Sequence, residues 1–311
     1  MSKFLVTGGA GFIGSHIVEA LVKQNHYVRV LDNFSSGKMS NLKGLEKKID
    51  LVRGDIRFKP TCVKVTKGID YCLHQAALRS VPKSMVEPHA YNDVNIDGTL
   101  NMLEASSQNK LKRFVFASSS SVYGDVKNFP QKETFVPNPI SPYALSKLTG
   151  EYYCKIFSLY FKLPTIALRY FNVFGPRQAL DDDYAVVIPK FIHCLMNSQP
   201  APIFGNGRQS RDFTFVQNVV SANLLAASAS KVKYGGFNVA GGKDTSILDL
   251  VKILNRILGK NIPPKLLAVR PGDVFKTLAD ISNTSKKLNF KPVVSFVDGL
   301  KITVDFWKNN V

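Results

Sequence analysis

Acidic residues are scarce in this chain of 311 residues: 23 Asp and Glu stand against 41 Lys and Arg, a formal charge of +18. That excess raises nucleic acid, an anionic membrane and anionic small molecules as partners. The lysines are scattered, as in Lys43, Lys47, Lys48, Lys59, Lys64 and Lys67, with no long basic block and no zinc-finger or RNA-recognition motif. Most therefore read as solvated faces, with some guidance of a negatively charged substrate. Cysteine is also sparse. Cys62, Cys72, Cys154 and Cys194 have neither paired ligand spacing nor the density of a disulfide framework, so no metal site is expected. No apolar run reaches eighteen residues, and no signal peptide precedes the first strand pattern, so a soluble, cytoplasmic chain is expected. Repeats and low-complexity segments are lacking too. Hydrophobic residues are 45% and charged residues 21%, the balance of an ordinary globular protein, and this length buries about three quarters of its unfolded surface.

The N-terminal stretch carries the first chemistry. Lys3 to Thr7 has a buried-strand pattern, followed by Gly8, Gly9, Ala10, Gly11, Phe12, Ile13, Gly14 and a helical pattern to about Gln24. Gly8 permits the tight turn, Gly11 lets backbone N–H groups approach a pyrophosphate, and Gly14 lets helix pack closely on strand. A second strand, Tyr27 to Leu31, ends at Asp32, where a ribose-binding carboxylate is expected. Asp32 would repel a 2′-phosphate, which favours NAD over NADP. Further strand patterns at Leu51 to Arg53, Tyr71 to His74, Arg113 to Ala117 and Thr165 to Arg169 alternate with helical stretches such as Asp93 to Gln108. Alternation of this kind predicts an α/β fold, a doubly wound parallel sheet of Rossmann type, with ligands beyond the carboxyl ends of the strands. Asp55 and Ile56, then Gln75, Ala76 and Ala77, then Ser118 to Ser121 follow successive strands and should line one crevice. His74 reads as a satisfied histidine closing a strand.

A second motif places a phenol and an ammonium four residues apart. Ser141 suits the N-cap and Pro142 the first helical position, so a helix starts there and sets Tyr143 beside Lys147 on one face. A neighbouring cation favours phenolate, so Tyr143 could act as a base at neutral pH. Tyr-x-x-x-Lys alone also arises by chance on surface helices. After about Phe174 the pattern changes to Pro176, the acidic cluster Asp181 to Asp183, Pro189, Pro200 and Pro202. A smaller, interleaved C-terminal substrate-binding lobe is predicted at 176–212 and 241–311, against a dinucleotide-binding domain of 1–175 to which 213–240 returns, including a helix near Asn218 to Ser228 and a strand at Phe237 to Val239. Arg211 and Arg270 suit bidentate phosphate binding or a structural ion pair.

Taken together, Thr7 to Gly14, the serine run, Tyr143 with Lys147, Leu168 to Pro176, Arg211 to Val216 and Arg270 to Asp273 resemble the extended short-chain dehydrogenase/reductase family, in its NAD-dependent epimerase/dehydratase branch. The resemblance covers nearly the whole chain. Eliminating relatives carry Asp and Glu before the Val-Tyr-Gly that is Val122 to Gly124 here. Ser120 and Ser121 stand in those places, so epimerisation is implied over loss of water. His74 to Ser84 most resembles the UDP-N-acetylglucosamine 4-epimerase branch, although Arg79 replaces a common glycine and Phe58 a common aspartate.

The resemblance implies Ser119, Tyr143 and Lys147 as catalytic residues, with Lys147 and the nicotinamide lowering the Tyr143 pKa. It implies NAD contacts from Asn33, Gly37, Asn95 and Tyr170 besides the glycine turn, Asp32, Asp55, Ile56 and Gln75 to Ala77. Ser80, Ser120, Gln178, Val186 and Thr277 would border the sugar, while Asn172, Arg211, Arg270 and Asp273 anchor a UDP-sugar diphosphate. Thr277, being small, should admit a 2-acetamido group. The implied reaction interconverts UDP-N-acetylglucosamine and UDP-N-acetylgalactosamine, or UDP-glucose and UDP-galactose, through a 4-keto intermediate. UDP-glucuronate and its N-acetylated form are alternative substrates. A dinucleotide-binding regulatory or RNA-associated protein and an inactive dimer partner are alternatives of another class. A homodimer through the Tyr143 helix is implied by the family alone.

Overall fold

The computed structural model describes residues 1–178, 187–269 and 274–310. Seven strands form one parallel sheet: β1 (Lys3–Thr7), β2 (Tyr27–Asp32), β3 (Asp50–Arg53), β4 (Tyr71–His74), β5 (Arg113–Ser119), β6 (Thr165–Tyr170) and β7 (Tyr234–Val239). Their spatial order is β7-β6-β5-β4-β1-β2-β3. The chain runs outward from β1 to β3 and returns to the other side of β1, so direction reverses between β1 and β4, where Thr7 lies opposite His74. A crevice opens at such a reversal because the two connections leave in opposite directions.

Side chains alternate across each strand, and both sets are apolar here, which is why helices cover both faces. Phe4 and Val6 of β1, Val115 and Ala117 of β5, and Ile166 and Leu168 of β6 pack with helices Phe12–Lys23 and Val216–Ser228. Leu5, Phe114, Phe116 and Ala167 pack with helices Lys59–Thr66, Gly98–Gln108 and Pro142–Tyr160. A third cluster joins Phe174, Phe191, Ile203, Phe213, Leu250 and Val304, away from the sheet faces. It receives the helices Val187–Met196, Ile247–Leu258 and Phe296–Asn310.

Four elements differ notably from the sequence pattern. β5 continues through Ser118 and Ser119 because these pair with Arg169 and Tyr170, and β6 correspondingly runs to Tyr170. β7 begins at Tyr234, three residues early, since Gly235 and Gly236 keep pairing with β6 despite offering no side chain. The helix expected from Asp93 begins as a π-helical turn, Asn92–Asp97, before α-helix Gly98–Gln108. Within that wider turn the buried Asn95 accepts the N–H of Leu78 and donates to its carbonyl, clamping the loop beyond β4.

Candidate active site

A cavity of about 540 Å³ lies at the carboxyl ends of the strands, within the usual size of a small-molecule site. Gly8, Gly11, Phe12, Ile13 and Gly14 line it, with Asp32 and Asn33 after β2 and Asp55 and Ile56 after β3. Gln75, Ala76 and Ala77 follow from β4, and Tyr143, Lys147 and Tyr170 from beyond the reversal. Gly8 has φ +65°, and a Cβ there would stand 2.9 Å from the Ala76 backbone. At Gly14 a Cβ would overlap the Gly8 carbonyl oxygen. Gly11, at the N-cap, offers no side chain to the helix that starts at Phe12, which leaves its first N–H groups suited to an anion.

Asp32 is buried and accepts N–H groups from Ala10 at 2.9 Å and Phe34 at 2.8 Å. These fix a carboxylate that still has lone pairs to accept a ribose diol. The Arg57 guanidinium draws Asp55 down to about 2, aided by the Arg57 N–H and Asn33. Gln75 donates to Asn223 and accepts from Tyr170 Oη, and burial raises the Tyr170 phenol. Together the uncapped helix, the glycine cradle and the fixed Asp32 fit a dinucleotide with a free ribose 2′-hydroxyl.

The reacting end is built by the helix Pro142–Tyr160. Ser141 Oγ accepts the Ala144 N–H at 3.1 Å, with Pro142 at the first turn, so the cap is the one the sequence predicts. The Ser119 hydroxyl is near enough to Tyr143 to pull the phenol pKa down, while Ser119 Oγ itself donates to Ser121 Oγ and accepts the Ser121 N–H, each at 3.1 Å. Lys147 donates to the Ala117 carbonyl at 2.9 Å, 5.9 Å from the centre of the Tyr143 ring. Burial raises the Tyr143 phenol, opposed by the nearby Ser119 hydroxyl and the Arg79 charge. Burial also brings the Lys147 ammonium down to about 7. The expectation that Lys147 lowers the Tyr143 pKa is thus corrected for the protein groups alone: a buried ammonium with one carbonyl partner is itself weakened.

Of the other predicted residues, Gln178 lies in the cavity wall and the rest stand elsewhere or outside the described residues. Gly37 is absent from the cavity wall, but a Cβ there would press within 2.9 Å of both Asp32 oxygens. Asn95 reaches the cavity through Leu78, a wall residue whose N–H and carbonyl it binds, and it also donates to Ser146 Oγ. Ser80 caps the short helix Val81–Val86 by accepting the Lys83 N–H. Ser120 lies past the strand end, half-buried. Asn172 donates to Thr277 Oγ1 at 2.9 Å and to the Asp212 carbonyl, so a predicted diphosphate anchor and a predicted sugar neighbour bind each other. Arg211 donates to the Ser210 and Phe275 carbonyls. Gln178 lines the cavity, and its buried Oε1 has no partner among the described residues. Val186, Arg270 and Asp273 lie outside the described residues.

The sequence reading missed Arg79, Arg177, Phe306, Trp307 and Asn310 as cavity residues. The last three sit in the final helix, and no local pattern connects that helix to a turn some three hundred positions earlier. Arg177 was signalled only by its charge; it pairs with Glu19, while the neighbouring Pro176 carbonyl accepts from His16 Nε2 at 2.9 Å. His74 is structural, held between Thr7 and Thr99 hydroxyls. Among the described residues no group of three or more potential ligands could hold a metal ion, and no helix is long and apolar enough to cross a membrane.

Burial lowers His16 to about 4. The unfolded histidine takes up its proton near 6.5, so between pH 6.5 and 4 the unfolded chain binds more protons and stability falls as pH falls. The full cost, reached below pH 4, is about 3 kcal/mol. Urea midpoints of the wild type and His16→Gln at pH 7 and pH 5 check this. The wild type should lose more on acidification than the variant.

Residues 4–240 match the NAD dependent epimerase/dehydratase family. A putative UDP-glucose 4-epimerase of Methanocaldococcus jannaschii is 38% identical over 308 residues, 98% of either chain. The solved UDP-N-acetylglucosamine 4-epimerase from Methanobrevibacter ruminantium, in complex with UDP-N-acetylmuramic acid, superimposes with TM-score 0.95 at 44% identity, covering 100% of this chain and 99% of that one. The UDP-glucuronic acid 4-epimerase from Bacillus cereus, with UDP-glucuronic acid and NAD, gives 0.91 at 35% identity, over 99% and 100%. With a dinucleotide cradle, a half-buried tyrosine near a serine and this extent of likeness, the chain belongs to the NAD-dependent epimerase/dehydratase family.

Proposed function

We propose that this protein is a UDP-hexose 4-epimerase that interconverts UDP-N-acetylglucosamine and UDP-N-acetylgalactosamine and also accepts UDP-glucose and UDP-galactose. The pairing of Tyr143, in the cavity wall, with the nearby Ser119 hydroxyl that acts on its phenol carries the reading. It offers a base and a hydroxyl for one reacting oxygen, whereas Ser120 and Ser121 leave no carboxylic acid to expel water. Likeness to a UDP-N-acetylglucosamine 4-epimerase supports the acetylated sugar.

In this reading Tyr143 Oη takes the proton of the sugar 4′-hydroxyl and later returns it, while Ser119 Oγ holds the oxygen. NAD, when bound, supplies the acceptor and donor for the C4 hydride. Lys147, fixed on the Ala117 carbonyl, holds positive charge beside the reacting end below about pH 7. Inversion needs the 4-keto sugar to present its other face, so the nucleotide must be anchored and the sugar loosely held. Arg211, Arg270, Asp273 and Asn172 are our candidates for the anchor, and Ser80, Gln178, Val186 and Thr277 for the sugar border. The exposed Leu145, Tyr152, Ile156 and Leu159 on the Tyr143 helix support a homodimer through that helix.

Purified protein given UDP-N-acetylglucosamine and UDP-glucose separately should form the C4 epimer of each, faster with the acetylated sugar. No C4 product from either would overturn the assignment. Arg79 favours a second reading: its charge acts on Tyr143 from the cavity wall, where it would pair with a uronate carboxylate. If UDP-glucuronate is the substrate, Arg79→Ser should lower its kcat/KM at least tenfold and leave UDP-N-acetylglucosamine within twofold. Equal loss on both sugars would reject that selectivity.

A further inference from the structure

The cavity wall is backed by a buried polar network that the reaction chemistry leaves unused. Glu151 lies one helical turn beyond Lys147 and two beyond Tyr143, on the same face of the helix Pro142–Tyr160. Its carboxylate receives Arg169 of β6 through two bonds, Nε to Oε1 at 2.9 Å and Nη2 to Oε2 at 2.7 Å. Both side chains are buried, at 7% and 5% exposure. Oε1 also accepts Ser118 Oγ of β5 at 2.5 Å. Arg169 Nη1 donates to Tyr123 Oη, which donates to Asn238 of β7.

Three consecutive residues of β5 therefore meet three positions of one helix face. Ser119 acts on the Tyr143 phenol, the Ala117 carbonyl accepts from Lys147, and Ser118 donates to Glu151. The helix lies close enough to the sheet for this because Gly150 faces the Phe116 ring, which a Cβ would overlap. An ion pair this deep gains little net stability over apolar packing, but its geometry is directional and a helix shift would break two bonds at once.

We infer that Ser118, Glu151 and Arg169 are positioning residues, setting the register of the Tyr143 helix against β5 and thereby the distance from Tyr143 Oη to Ser119 Oγ. None of them takes or gives a proton in the reaction. Because a base displaced by about an ångström loses rate rather than binding, the effect belongs in kcat. This inference rests on the epimerase reading above.

Two variants test it without touching Tyr143, Lys147 or Ser119. Ser118→Ala removes one strand-to-helix bond, and Arg169→Lys keeps the buried charge but loses the two-pronged contact. Both are assayed for UDP-N-acetylglucosamine turnover, KM, cofactor content, and the isotope effect on kcat with substrate deuterated at C4. Either variant, folded and carrying cofactor at the wild-type level, should show kcat lowered about tenfold, KM within twofold and a larger isotope effect, because misalignment slows the chemical step. If both keep wild-type kcat and isotope effect while only their melting temperature falls, the network is merely structural and the inference is wrong. A rise in KM alone also overturns it. Absence of turnover by the wild type rejects the epimerase reading itself, and this inference with it.

Discussion

Tyr143→Phe is expected to lower kcat for C4 epimerisation by about a thousandfold, the middle of the range for loss of a positioned acid–base group. Binding should survive. The ring packs edge-on to Tyr91, with centroids 6.4 Å apart at 87°, and phenylalanine keeps that contact. Product ratios after fixed times, alongside KM and the dinucleotide content of the purified variant, separate the two quantities. A variant within tenfold of wild-type kcat would remove Tyr143 from the chemistry. Ser119→Ala should cost less alone, and the double variant should be little worse than Tyr143→Phe, because the two hydroxyls act on one oxygen as a unit.

The second large effect is structural. Gly14→Ala brings a methyl group onto the Gly8 carbonyl oxygen and within 2.8 Å of the Gly9 Cα. Both obstacles are backbone, so no rotamer change relieves them, and the first helix must lift from the turn that cradles the dinucleotide. A loss of about 3 kcal/mol, the upper end of overpacking costs, is expected together with loss of copurifying cofactor. Gly44→Ala is the control. That glycine has positive φ, at +80°, but no atom lies within 4 Å of the place a methyl group would take, so only the local backbone cost of about 1 kcal/mol applies. Urea midpoints of the two variants should differ accordingly, and equal midpoints would show that crowding at Gly14 is relieved elsewhere.

The parts of the site that were legible in sequence share one property: each is held by a few adjacent residues. The glycine turn, the acid ending β2 and the Ser141 cap are set by local backbone sterics and hydrogen bonds, so a short stretch suffices to place them. Asn95 was less so. It was expected at the cofactor, yet the π-helical turn aims it at Leu78, and a shift from 3.6-residue to wider winding leaves no mark in periodicity. The protonation balance at Tyr143 was not legible either, because it follows from burial and from Arg79, a residue remote in sequence whose reach depends on the folded loop. The pairing of Asn172 with Thr277 spans 105 positions and required the fold to bring Asp212 between them.

The last helix has a practical consequence. Trp307, the chain's single tryptophan, stands in the cavity wall with the glycine turn. Indole emits where reduced nicotinamide absorbs, so the protein carries one internal lamp and its ligand is the shutter. Dimming of that lamp on reduction of bound cofactor, and its recovery on reoxidation, would report the redox state of the site during turnover without any added dye.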